Sequence, residues 1–241
     1  MGRRPRVVIG RTIPDAGLDL LSERCVVDAG GEAPDGAWLH EHAADRFGGD
    51  PDRIAVQGGS AGGYLALMTG ICIQPRPKAL VSHFGFGDIV GEWQSRPDPY
   101  YCTKPMITKE EAMSAVGEGT PCGNPQGKRR NDFYLYCRQQ GVWPNEITGL
   151  DPRVAPESFV PFCPVKNVTA EYPPTLLAHG TDDTDVPYVL SVQMADALKN
   201  AGVEHELISL DGAGHGFSHA KPEDYKKVLD RTTAFFVQYL R

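Results

Sequence analysis

Apolar residues gather along this chain in short runs closed by glycine or a polar turn residue, with helically spaced segments between several of them. Strands are predicted at RVVIG (6–10), CVVDAG (25–30), RIAVQG (53–58), KALVSHFG (78–85), TLLAHG (175–180) and HELISLDG (205–212). Helices are predicted at DAGLDLLSER (15–24), DGAWLHEHAADRFGG (35–49), AGGYLALMTGICI (61–73), SVQMADALKNAG (191–202) and EDYKKVLDRTTAFFVQYL (223–240). In the last of these, Tyr225, Val228, Leu229, Phe235, Phe236 and Tyr239 fall at helical spacing. Strands alternating with helices imply a mostly parallel sheet covered on both faces, a doubly wound α/β fold with six candidate strands.

One segment breaks this rhythm. Residues 88 to about 172 are rich in proline, aromatic and charged residues and lie between two strand candidates. A stretch so long is not expected to be bare loop. TKEEAMSAV (108–116) opens with a capping box, Thr108 to Glu111, and RNDFYLYCRQQG (130–141) reads as a second helix ending at Gly141. The expectation is a helical cap over the carboxyl edge of the sheet, inserted into a single domain spanning 1–241.

Bulk composition narrows the function classes. The chain has 241 residues, 41% hydrophobic and 23% charged, as in ordinary globular proteins. A net charge of −7 argues against a nucleic-acid partner. No apolar run approaches the ~18 residues that span a bilayer, so no membrane is expected. The N-terminus starts basic but lacks the apolar core of a signal peptide, which points to a cytoplasmic protein, a processed exported form being the alternative. The six cysteines are scattered without a CxxC pair, and no metal-ligand set is evident. They read as reduced structural thiols, with a disulfide inside the 102–163 segment conceivable only in an exported form.

The chemistry concentrates on three segments. Gly58-Gly59-Ser60-Ala61-Gly62 fits G-x-S-x-G between a strand and a helix, where small neighbours let the chain turn sharply and present the serine. Glycine-rich strand–helix turns also bind phosphate, so the pentapeptide alone leaves both readings open. LLAHGTDDTDVPY places Asp182, Asp183 and Asp185 just past a strand, and LDGAGHGFSH places His215 between glycines past the last one. A serine, an acid and a histidine in that order, each after its own strand, can form a nucleophile, an orienting carboxylate and a general base. His179 and His205, in or beside strand patterns, read as structural. Trp93, Tyr100, Tyr101, Phe133, Tyr134, Tyr136 and Trp143 cluster in the insertion as its core or as pocket lining.

GGDPDRIAVQGGSAGGYLAL, PPTLLAHGTDDTDVPY and GAGHGF together resemble the α/β-hydrolases of the prolyl-oligopeptidase-like and esterase/lipase type. The resemblance runs from about Gly36 to the C-terminus. It implies that the acid is the aspartate of HGxxDxxVP, which is Asp183, completing Ser60–His215–Asp183. It also implies an oxyanion hole, one donor being the N–H of Ala61. The second donor normally comes from an HGG motif, and no HGG precedes Ser60. Instead RPRVVIGRTIPDAGLDLLSERCVV resembles the opening of D-2-hydroxyacid dehydrogenases, although no GxGxxG follows a strand and no dinucleotide cofactor is implied. Residues 1–35 are then a substituted βαβ segment whose strands stand in for the family's third and fourth. The turn after Gly10 would supply the missing donor through Thr12 or Arg11.

The resulting expectation is a serine esterase acting on small or medium carboxylic esters without a cofactor, with Tyr64, Trp93 and Trp143 lining the pocket. The alternatives are a peptidase of the prolyl-oligopeptidase-like type and an impaired hydrolase-fold binding or scaffold protein. A sheet lacking its first family strands leaves an edge that a homodimer could cover.

Overall fold

The computed structural model describes residues 49–116 and 130–241, together with the short strands β1 (Arg6–Val8) and β2 (Val26–Asp28). The predicted helices at 15–24 and 35–49, and the turn carrying Arg11 and Thr12, lie outside the described residues.

Four parallel strands, β3 (Ala55–Gly59), β4 (Ala79–His83), β5 (Thr175–Gly180) and β6 (His205–Leu210), form one sheet in the order β3-β4-β5-β6. The expectation of six strands in one sheet needs correction. β1 and β2 pair with each other, Val7 opposite Val27, in a separate two-stranded ladder. Their facing edges are satisfied by each other over three register positions, and no ladder joins either of them to β3.

Sequence pattern and burial agree in the four-stranded sheet. Every residue of β4 and β5 is buried, which is why ALVSH and TLLAHG read as continuous runs rather than alternations. The outer strands β3 and β6 are mostly half-buried. Alternate residues of the inner strands serve opposite faces. Leu80 and Leu177 pack with Leu67 of α1 (Ala61–Cys72) and with Met194 and Leu198 of α7 (Val189–Asn200). Val81 and Leu176 pack with Phe235 of α8 (Pro222–Tyr239) on the other side. The predicted ends hold as well: Gly202, at φ 72°, follows α7, and the Gly202 N–H bonds to the Lys199 carbonyl.

Between β4 and β5 the described residues are largely short helices. They form α2 (Glu92–Ser95), α3 (Lys109–Ser114), α4 (Arg130–Gln140), α5 (Trp143–Thr148) and α6 (Pro164–Asn167), with 3-10 helices at Tyr101–Thr103 before α3 and Pro156–Phe162 before α6. The capping box is formed: Glu111 N–H donates to Thr108 Oγ1 while Thr108 N–H donates to the Glu111 carboxylate. Gly141, at φ 65°, follows α4, and a Cβ there would fall 2.2 Å from the Arg96 carbonyl carbon. The four described cysteines Cys72, Cys102, Cys137 and Cys163 are all free.

Parallel strands carry their carboxyl ends to one edge, and the loops leaving β3, β5 and β6 there hold Ser60, Asp183 and His215. A frame of this kind should depend on its two-sided core. Leu177→Ala is expected to lower unfolding stability by about 2–5 kcal/mol in urea denaturation. Val154→Ala, at a side chain 82% exposed, should stay within about 0.5 kcal/mol.

Candidate active site

Ser60 sits between the last residue of β3 and the first of α1 with φ 57° and ψ −124°, a region that L-residues rarely occupy. Backbone bonds hold it there: its N–H donates to the His83 carbonyl at 2.9 Å, and its carbonyl accepts from Tyr64 N–H at 3.1 Å. The glycines explain how the turn closes. A Cβ on Gly58 would lie 2.0 Å from the Gly62 carbonyl oxygen, and one on Gly63 would meet Ser82 Oγ at 2.7 Å.

His215 reaches Ser60 from the loop after β6. Its Nε2 lies 3.0 Å from Ser60 Oγ and its Nδ1 lies 2.8 Å from Asp183 Oδ2. A carboxylate only accepts, so Nδ1 carries the proton and Nε2 offers its lone pair to the serine hydroxyl. The Phe84 ring meets the imidazole edge-on with centroids 5.1 Å apart. Burial works against a charge on His215, but the hydrogen bond and charge of Asp183, with the charge of Asp185, raise its pKa above the ordinary histidine value.

Asp183 is buried and fully bonded. Oδ1 accepts the N–H groups of Asp185 and Val186, both at 2.9 Å. Oδ2 accepts from His215 and also from His179 Nε2 at 3.1 Å. Burial alone would raise its pKa; the bonds from His179, His215 and Val186 outweigh that and hold it below the usual carboxylate range.

Position alone marked His179 as a strand residue, yet it is the second histidine on this acid. Its Nε2 faces two acceptors, Asp183 Oδ2 and the Val186 carbonyl at 3.0 Å, so Nε2 carries the proton and Nδ1 accepts from Ser191 Oγ at 2.7 Å. The spacing His-x-x-x-Asp at a strand end was the available signal. His205, by contrast, bonds locally, its Nδ1 lying 2.8 Å from the Val203 carbonyl. His83 lies beneath the site against Thr232, and burial pushes its imidazole down to about 4.

The three competing aspartates separate clearly. Asp183 takes Nδ1 of His215, while Asp182 is exposed and ties its backbone N–H to the Ala213 carbonyl. Asp185 stands on the other side of the ring, its Oδ2 3.5 Å from His215 Nε2. Its Oδ1 accepts from Tyr101 Oη at 2.7 Å, Tyr134 Oη at 2.6 Å and Arg138 Nη1 at 3.1 Å. Arg138 is fully buried, bonds Asp98 through Nη2 at 2.6 Å, and lies over the rings of Trp93, Tyr101 and Tyr134.

The aromatic residues expected at the pocket fall into two groups. Tyr64 stacks on Phe86 at 5.0 Å, Phe86 meets Trp93 at 4.9 Å, and the Tyr64 hydroxyl donates to the Phe162 carbonyl. Trp143 packs edge-on behind Tyr134 at 5.1 Å. Ala61 opens α1, where the first N–H groups have no acceptor within the helix. Among the described residues no cluster of His, Cys, Asp and Glu could hold a metal, and no helix is long and apolar enough to cross a membrane.

A family profile described as the prolyl oligopeptidase family matches residues 29–115 and 132–241. The chain belongs to the prolyl oligopeptidase family. Among its relatives, carboxylic ester hydrolase LipN of Mycobacterium tuberculosis is 31% identical over 75% of this chain and 41% of its own length. Esterase LipQ of the same organism is 28% identical over 83% of the chain and 41% of its own. The chain thus spans less than half the length of these relatives. Solved structures agree on the α/β-hydrolase fold. Esterase 2 of Thermogutta terrifontis superposes with a TM-score of 0.57 at 22% identity, covering 98% of this chain and 83% of that one. A Staphylococcus aureus protein of unknown function superposes with a TM-score of 0.66 at 18% identity, covering 100% and 92%. The family match begins at residue 29, after the stretch that resembles dehydrogenases.

The turn around Ser60 makes opposite demands on neighbouring glycines. Gly58→Ala should cost about 1–3 kcal/mol or more in chemical denaturation, because the atoms it meets are backbone. Gly62→Ala, with nothing within 4 Å of the added Cβ and a helical position, should stabilise by about 0.5–1 kcal/mol.

Proposed function

We propose that the chain is a serine hydrolase of small carboxylic esters, with Ser60 as nucleophile, His215 as general base and Asp183 as its orienting acid. The observation that carries the reading is the continuous line Ser60 Oγ–His215 Nε2 at 3.0 Å and His215 Nδ1–Asp183 Oδ2 at 2.8 Å. Relatives named as esterases favour an ester over other acyl substrates.

In this reading Ser60 Oγ bonds to the ester carbonyl carbon as its proton passes to His215 Nε2 and the carbonyl π pair moves onto oxygen. Collapse re-forms the carbonyl and breaks the bond to the alcohol oxygen, which takes the proton back from His215. Water then repeats the sequence on the acyl-enzyme and releases the acid. Asp183 holds the imidazole in the tautomer needed and offsets its charge when protonated. The Ala61 N–H, at the positive end of α1, is the proposed oxyanion donor on the described side. Arg11 or Thr12 is proposed for the other, and Tyr64 and Trp93, which flank Phe86, together with Trp143 beside Tyr134, for the acyl pocket.

The family description itself favours a second reading, a peptidase acting on amide bonds. Hydrolysis of p-nitrophenyl acetate against a proline-containing amide substrate separates the two. An ester-only profile that disappears in Ser60→Ala supports the esterase, and comparable amide turnover replaces it. Ser60→Ala and His215→Ala should each lower kcat by at least roughly 10³-fold. If a fluorophosphonate leaves Ser60 unlabelled in the folded protein, both hydrolase readings fail.

The pH dependence follows from His215. The base must be neutral, so kcat/KM should fall as pH drops through the His215 pKa, which is raised above the ordinary ~6.5. The acid limb is therefore expected above neutral histidine titration, and a limb well below pH 6.5 would contradict the arrangement.

A further inference from the structure

Asp185 is unused by the triad, yet its free carboxylate oxygen lies 3.5 Å from the nitrogen of His215 that must exchange protons with the serine and the leaving group. Its other oxygen is occupied by Tyr101, Tyr134 and Arg138. Arg138 also donates from Nη1 to the Asp185 backbone carbonyl at 2.9 Å, so side chain and backbone are clamped by one guanidinium. Arg138 has no exposed surface, and Asp98 bonds its far end, so the guanidinium holding Asp185 is itself held at both ends.

We propose that Asp185 is a positioning residue for His215, a second carboxylate that steadies the protonated imidazole from the Nε2 side, with its charge set by the Arg138 clamp of the insertion. The proposal rests on the general-base reading of His215. Once Ser60 has passed its proton to Nε2, the ring carries a positive charge between two carboxylates: Asp183 on Nδ1 and Asp185 beside Nε2. Asp185 Oδ2 accepts no other hydrogen bond from a described residue, so it can attract the Nε2 proton without taking it. Charge–charge attraction over this distance favours the imidazolium, and Arg138 moderates that attraction by partly neutralising the carboxylate. The other groups facing His215 are Ser60 at the head of α1, the Phe84 ring after β4, and Tyr101 and Tyr134 reaching through Asp185.

The experiment is an NMR titration of the His215 imidazole in the full chain carrying Ser60→Ala, with and without Asp185→Asn. Asp185→Asn should lower the His215 titration midpoint by about half a unit to one unit, because one of two attracting charges is gone. Tyr134→Phe keeps the charge but removes a donor from Oδ1, and should move the midpoint slightly the other way. In the Ser60 enzyme, the acid limb of kcat/KM should follow each shift, with a several-fold lower plateau for Asp185→Asn and recovery toward the parent in Asp185→Glu. An unchanged midpoint in folded Asp185→Asn overturns the proposal. If Asp185→Asn does not fold, because Arg138 has lost a partner, an unmoved midpoint in Tyr134→Phe overturns it instead. Failure of the esterase reading is distinguishable, since the titration is read without turnover.

Discussion

One buried carboxylate organises the carboxyl edge of this sheet. Asp183 receives four hydrogen bonds: two from backbone N–H groups of its own loop and one from each of two histidines. The backbone pair curls the loop after β5 into a fixed turn, and that turn places Asp185 and Val186. The histidine pair ties the loop to β5 through His179 and to the loop after β6 through His215. A carboxylate so placed is costly to bury without partners. Its complete satisfaction is what lets it stay charged beside a base, and the rest of the site takes its geometry from that charge.

Two kinds of information were recoverable from residue order to different degrees. The inner strands were legible because burial on both faces leaves long apolar runs, ALVSH and TLLAHG, that few helices of that length would show. Ser60, His215 and the aspartate cluster 182–185 were legible because each sits just past a strand end, so their convergence follows from parallel strand topology; the choice of Asp183 within the cluster came from the resemblance to the family's HGxxDxxVP motif. The capping box at Thr108 was legible for a similar local reason. The two-ladder division of the strands was not, since short apolar runs report burial without reporting which edge they pair with.

The polar network was also hidden. Asp98, Tyr101 and Asp185 come from three different segments, and the Tyr134–Arg138 pair one turn apart on α4 does not by its spacing distinguish a buried arginine clamp from ordinary surface charge. His179 was hidden differently. Its place in a buried strand made a packing role sufficient, and only the second hydrogen bond on Asp183 shows it supporting the acid. Periodicity tells which positions are inside; it does not tell which buried polar groups have found one another.

The buried guanidinium of Arg138 has a consequence for how this architecture can be recombined. Its partners come from α2, the link after it that holds Asp98, the 3-10 turn at Tyr101, α4 itself and the loop after β5. A chimera that exchanges the insertion with a relative's while keeping the local loop would part Arg138 from Asp185, leaving the loop carboxylate without the guanidinium that binds it. The insertion and the β5–α7 loop therefore form one exchangeable module, although about half the insertion's sequence and a whole strand lie between its crossing points. Family members that diverge in one should be found to have diverged in the other.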